Sequence, residues 1–245
     1  MSALPAVVSA TSIDPAGIDG VAADAIVLDE IGCRALAVPT AVFGVAEGRD
    51  GIFEGVPAGW LARIWPLVAA EHPAAVRIGI LRDADQAREI AGLLQLHGAP
   101  HVVLAPVVRA AGRRLLDEGA IAAWRERLFP LAHVLVLRAG ELAVFAGAHD
   151  DDPSGFVEGA KRVAAQGIRA VLVTGVVRQG RILDLLVENG EVAAFDATRL
   201  HVPRVDGLAG AHAAALAGAL ARGEPLPRAA LAAQRYVGMR LQRRR

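Results

Sequence analysis

Runs of Val, Ile, Leu and Ala alternate along the chain with segments whose apolar residues recur at helical spacing. Residues 6–11, 34–40, 76–81, 101–105, 133–138 and 170–174 predict strands, and residues 21–31, 57–70, 84–97, 118–128 and 154–166 predict the helices between them. Within 84–97, Ala87, Ile90, Leu93 and Leu94 share one face while Asp85, Arg88 and Glu89 fall elsewhere. That is the pattern of a helix laid on a sheet. Strands that are apolar throughout imply burial on both faces, so a mainly parallel sheet between two helical layers is expected. After Gly175 the pattern changes. Residues 182–188 and 191–196 flank Asn189-Gly190, which supplies the positive φ angles of a tight turn, and predict a hairpin. Two helices follow, 207–221 and 226–242, separated by Arg222-Gly223-Glu224-Pro225. No repeat or linker interrupts residues 1–245, which predicts a single domain.

Composition narrows the classes. A chain of 245 residues, 54% hydrophobic and 21% charged, is not expected to be disordered. Its 26 acidic and 26 basic residues balance, removing a global electrostatic pull toward nucleic acid. The basic run within 240–245 reads as a solvated tail. The longest uncharged stretch, 207–221, has 15 residues and falls below the roughly 20 needed to cross a bilayer. No Lys or Arg precedes the first apolar residues, so they do not read as a secretory signal. Cys33 is the only cysteine and excludes an intrachain disulfide. A cytoplasmic protein acting on a small molecule is expected, with neither nucleic acid nor membrane as partner.

The most informative segment is Asp206-Gly207-Leu208-Ala209-Gly210-Ala211-His212, which opens the penultimate helix. Two glycines three residues apart allow close backbone approach, and the helix start offers unpaired N–H groups and a positive dipole end. Together they predict a phosphate seat. Ligands of such sheets bind beyond the carboxyl ends of the strands, so Asp14, Thr40, Ala105, Glu141, Thr174 and Gly210 are expected to share one cleft. The acidic cluster His149-Asp150-Asp151-Asp152 precedes a helix beginning at Pro153, and helix capping accounts for it. Trp60, Trp65 and Trp124 are expected on apolar helix faces.

Six segments in order resemble the hydroxymethylpyrimidine and phosphomethylpyrimidine kinases of thiamine synthesis, a ribokinase-like family. Residues 12–24, Ser-Ile-Asp-Pro-Ala-Gly-Ile-Asp-Gly-Val-Ala-Ala-Asp, are similar to the family's Gly-Ser-Asp-Pro-Ser-Gly-Gly-Ala-Gly-Ile-Gln-Ala-Asp. Arg77-Ile78-Gly79-Ile80-Leu81 resembles Lys-Ile-Gly-Met-Leu, and residues 102–108 resemble Val-Val-Leu-Asp-Pro-Val-Met. Residues 115–121, 170–175 and 221–227 follow the same pattern, so the resemblance spans nearly the whole chain. It implies a three-layer α/β/α sandwich with a C-terminal hairpin, MgATP as phosphoryl donor, a pyrimidine alcohol or pyrimidine phosphate as acceptor, and a homodimer.

The resemblance also implies site residues. The family's His-Gly-Thr-Gly-Cys loop, whose cysteine lies at the attacking hydroxyl, falls on Asp206, Gly207, Leu208, Ala209 and Gly210. Asp206 and His212 are the alternative bases, the latter if the register shifts by two. Arg138, Glu141, Thr174, Leu208 and Ala209 fall on the nucleotide side, with Glu141 beside the metal and Arg138 able to replace the positive charge lost at Thr174. Asp14, Gly17, Gly20, Thr40 and Val45 fall on the substrate side. Several family groups are replaced: cysteine by Gly210, aspartate by Ala105, lysine by Thr174, and glutamines by Ala22 and Val45. A second reading follows, a catalytically inactive relative that binds a thiamine precursor, nucleotide or partner. A third is a different small-molecule enzyme in the same cleft.

Overall fold

The computed structural model describes residues 3–44, 51–110, 112–147, 151–200 and 206–243. In the first half, β1 (Ala6–Ile13), α1 (Gly20–Glu30), β2 (Arg34–Gly44), β3 (Ile52–Gly55), α2 (Trp60–Ala69), β4 (Ala75–Ile78), α3 (Ala84–His97) and β5 (His101–Leu104) follow one another. Then come a small hairpin, β6 (Arg109–Ala110) and β7 (Arg113–Arg114), α4 (Glu118–Ala123), β8 (Val134–Arg138), α5 (Leu142–Ala146) and α6 (Pro153–Ala164). The chain closes with β9 (Ala170–Arg178), β10 (Arg181–Glu188), β11 (Glu191–Thr198), α7 (Leu208–Ala221) and α8 (Leu226–Gln242).

Nine strands form one sheet in the order β11-β10-β9-β8-β5-β4-β1-β2-β3. The six from β9 to β2 run parallel, while β3 at one edge and the β10–β11 pair at the other are antiparallel. Alternate residues of the parallel strands feed separate cores. Val8, Val76, Leu104, Leu135 and Val171 pack with α2 to α6 on one face. Val7, Ala75, Val103, Val134 and Leu172 pack with α1, α7 and α8 on the other. This is the expected α/β/α sandwich. α7 is buried at every residue from Gly210 to Leu220, which explains why its sequence lacks a polar stripe. Its alanines and glycines let it approach the sheet and α1 closely: a Cβ at Gly218 would collide with Ile31.

Several details differ from the sequence reading. The third predicted strand ends at Ile78, and Gly79 leaves the sheet where a Cβ would strike the Arg77 guanidinium and Thr11 Oγ1. The predicted helix at 118–128 stops being α-helical at Ala123 and continues as a π turn through Leu128. β9 runs through Gly175 to Arg178, lengthening the hairpin into a three-stranded antiparallel end. β3 and the β6–β7 hairpin are additional. Trp65 and Trp124 are core residues, but Trp60 is 38% exposed. Asp152 accepts from Gly155 N–H at 2.7 Å and caps α6, as expected for that acidic segment; His149 and Asp150 lie outside the described residues.

The β10–β11 turn has Asn189 at φ 51° and Gly190 at φ 86°. A left-handed L-residue costs roughly 1–2 kcal/mol. Gly190→Ala is therefore expected to lower stability by about 1 kcal/mol in denaturant unfolding without changing ligand binding; an unchanged midpoint would contradict this.

Candidate active site at the start of α7

The loop from Asp14 to Gly20 is organised from within. Asp14 Oδ1 accepts from Ala16 N–H at 2.9 Å, while its Oδ2 accepts from Ile18 N–H and Asp19 N–H at 3.0 and 3.1 Å. Gly17 (φ 67°) and Gly20 (φ 75°) supply the left-handed turns, and a Cβ on Gly20 would run into the Ser12 carbonyl. Asp14, Gly17 and Gly20 thus shape the loop, and the substrate contact expected of Asp14 is replaced by these internal bonds. Asp19 caps α1, its Oδ1 accepting from Gly20 N–H at 2.8 Å.

This loop rests on the start of α7. Gly207 is the N-cap residue, at φ 79° and ψ 0°, and among the described residues no side chain caps the helix. A Cβ at Gly207 would overlap the Ile18 carbonyl oxygen, and one at Gly210 would overlap Asp19 Oδ1. Gly207 is therefore required by close approach to backbone and by its positive φ, whereas the atom that meets a side chain at 210 is the end of the Asp19 carboxylate. The first N–H groups of this helix meet no capping side chain, and such an end calls for an outside acceptor. The capping position belongs to Gly207 and not to Asp206.

On the other side of α7 lies a cavity of about 480 Å³, within the range of small-molecule sites. Arg138 at the end of β8 and its register partner Thr174 within β9 line it with Leu208, Ala209, His212 and Gln234 of the two last helices. The single expected cleft is thus divided by the first turn of α7. The cavity is on one side and the Asp14–Gly20 loop on the other.

Two further expectations are corrected by the contacts. His212 lies past the first turn and is buried; its Nε2 is 3.1 Å from Asp184 Oδ2, and Asp184 Oδ1 accepts from Gly175 N–H at 2.9 Å. The pair stands in the cavity wall and commits His212 Nε2 to Asp184. Asp184 was legible only as a charge within the apolar run of β10. Thr40 is fully buried, its hydroxyl donating to Ile80 O and its carbonyl accepting from Gln86 Nε2, so it locks β2 to α3 rather than facing substrate. Val45 lies outside the described residues.

The remaining polar groups are charged pairs. Glu141 is buried and accepts from Val108 N–H at 3.1 Å and from Arg138 Nε at 2.9 Å. The pairing holds Arg138 above its ordinary pKa, through the Glu141 hydrogen bond first. A magnesium ion prefers oxygen ligands in octahedral geometry, usually one or two carboxylates besides phosphates. Here both Glu141 oxygens are already used, and Ala105 offers no side-chain donor. The residues do not fit a protein-held metal, correcting the metal role expected of Glu141. Beneath the seat, Arg77 and Asp24 are 2% and 0% exposed, with Nη1 and Oδ2 3.4 Å apart. Ser9 Oγ donates to the same Asp24 oxygen at 2.6 Å.

A parallel-centred three-layer sheet with an uncapped helix start between a cavity and a glycine-rich loop defines a ribokinase-like protein. The family model described as phosphomethylpyrimidine kinase matches residues 14–244, and the chain belongs to that family. It is 30% identical over 236 residues to the thiamine biosynthesis bifunctional protein ThiED of Geobacter sulfurreducens, covering 94% of this chain but 48% of that protein. It is 31% identical over 234 residues to the hydroxymethylpyrimidine/phosphomethylpyrimidine kinase of Streptomyces coelicolor, covering 95% and 87% of the two chains. The pyridoxal kinase of Staphylococcus aureus, solved with AMP-PCP and pyridoxal, superimposes with a TM-score of 0.91 at 18% identity, covering 98% of this chain and 89% of that one. The last comparison shows the shared fold. Among the described residues, no helix is long and apolar enough to cross a membrane.

Proposed function

We propose that the protein is an ATP-dependent kinase of a pyrimidine alcohol, hydroxymethylpyrimidine or its monophosphate, in thiamine synthesis. The observation that carries this reading is the uncapped start of α7, flanked by the cavity and the Asp14–Gly20 loop. The nucleotide occupies the cavity, in line with the AMP-PCP named for the pyridoxal kinase of the same fold. Its terminal phosphate faces the N–H groups of Leu208, Ala209 and Gly210, where backbone donors and the helix dipole offset negative charge. Magnesium arrives with the nucleotide as MgATP. The acceptor hydroxyl approaches from the loop side, so that donor and acceptor meet over one helical turn. Phosphoryl transfer depends mainly on such positioning and charge compensation.

The engagement of Arg138 with Glu141 and the lack of a side-chain donor at Ala105 favour one second reading, binding without turnover. ADP release from MgATP by the pure protein, with and without hydroxymethylpyrimidine or its monophosphate, separates the two. Pyrimidine-dependent release is expected. Saturable pyrimidine or nucleotide binding with no release would establish the binding protein instead.

A further inference from the structure

We propose that Asp19 is the proton acceptor of the transfer reaction, its carboxylate occupying the volume that a side chain on residue 210 would fill. This inference rests on the kinase reading. A Cβ built on Gly210 overlaps Asp19 Oδ1 and lies 3.1 Å from Asp19 Cγ and 3.6 Å from Arg77 Nη2. The space over the third residue of α7 is therefore filled, and its occupant comes from the start of α1. The motif comparison shows the reciprocal change: alanine stands in the resembled pattern where this chain has Asp19, and cysteine where it has Gly210. One position has lost a proton-accepting side chain and the other has gained one, and both address the same point.

Four other acidic groups around the seat are committed. Asp14 accepts from three loop N–H groups. Glu141 is bonded to Arg138 and Val108. Asp24 is buried with Ser9 and Arg77, and Asp184 is shared by Gly175 and His212. Asp19 is only half-buried, and among the described residues its side chain accepts one hydrogen bond, from Gly20 N–H to Oδ1. It stands on the acceptor side of the α7 turn that faces the transferring phosphoryl group. Arg77 and Arg138 are the cations around it, Arg138 held in its charged form partly by the Asp19 carboxylate.

The step balances without a further reactant. The substrate oxygen forms a bond to the γ-phosphorus of ATP while the bond from that phosphorus to the β–γ bridging oxygen breaks. The bond's electron pair leaves on ADP, and the hydroxyl proton moves to the Asp19 carboxylate. General bases of this kind contribute about 10²- to 10⁴-fold.

The test compares wild type, Asp19→Asn, Asp19→Ala, Gly210→Cys and the double variant D19A/G210C, with hydroxymethylpyrimidine and MgATP. Asn keeps an oxygen for Gly20 N–H, so the α1 cap survives while the base is lost. Asp19→Asn is expected to lower kcat at least about 100-fold, with Tm, substrate KM and MgATP affinity little changed. Gly210→Cys alone should lose activity because it displaces the carboxylate. The double variant should exceed Asp19→Ala at least tenfold, since the thiol then has room. Asp19→Asn within threefold of wild-type kcat would overturn the inference alone, as would a loss of activity matched by a fall in Tm. A folded wild type with no turnover would overturn the kinase reading and this inference together.

Discussion

Replacing Arg77 by methionine is expected to destabilise the protein by about 3–5 kcal/mol at neutral pH, the usual result of removing one member of a buried ion pair. Arg77 and Asp24 are both inaccessible, and Asp24 Oδ1 has no hydrogen-bond partner among the described residues. Burial holds the Asp24 pKa above the ordinary carboxylate value, with Arg77 and the Ser9 hydroxyl opposing that rise. The sign of the pH effect follows. A carboxyl whose folded pKa is raised contributes stability that is complete below its unfolded pKa and is lost as pH rises through the folded one. Without Arg77 the folded pKa moves higher still, so the penalty of the variant should narrow as pH falls toward the ordinary carboxylate range. Urea unfolding of both proteins at several pH values checks it. A deficit below about 1 kcal/mol, or one that ignores pH, would show that the pair contributes little.

The largest effect on activity outside Asp19 is expected at Gly207. Alanine there must adopt φ 79°, at roughly 1–2 kcal/mol, and its Cβ would strike the Ile18 carbonyl, a backbone atom that cannot swing aside. The Asp14–Gly20 loop would have to lift from α7, separating the two halves of the site. A misplacement of about 1 Å can cost about 10²-fold in rate, so kcat/KM for pyrimidine phosphorylation should fall at least 100-fold. Gly210→Ala is different in kind. It only pushes the Asp19 carboxylate aside and should leave Tm nearly unchanged. Steady-state kinetics with thermal melts distinguish the cases, and a Gly207→Ala enzyme within fivefold of wild type would refute the close-approach argument.

Much of the scaffold was legible because its causes are local. The apolar runs at 102–104 and 134–137 read as strands covered on both faces, and Asn189-Gly190 reads as a tight turn. The all-round apolarity of α7 matches its burial from Gly210 to Leu220. Elements that were missed carry weak local signals: β3 is four residues at an edge, and β6 and β7 are two residues each. The site was legible only in outline. The α7 glycines marked the seat, but Thr40, Asp14 and His212 carry polar side chains whose partners are Ile80, loop backbone and Asp184, and spacing along the chain does not reveal which partner a polar group will find.

Asp19 illustrates the boundary. Its place just before Gly20 and an apolar helix is an N-cap signal that the sequence carries by itself. That its carboxylate also covers Gly210 depends on β1 and β4 lying side by side and on α7 packing over them against α1. The sequence by itself determined most of the strands and helices and the layered class, because hydrophobic period and turn chemistry act over a few residues. Only the tertiary structure decided which buried charges pair, which side of α7 faces the cavity, and which carboxylate stands at the seat. Those outcomes depend on distances between segments far apart in the chain, which the order of strands in the sheet sets.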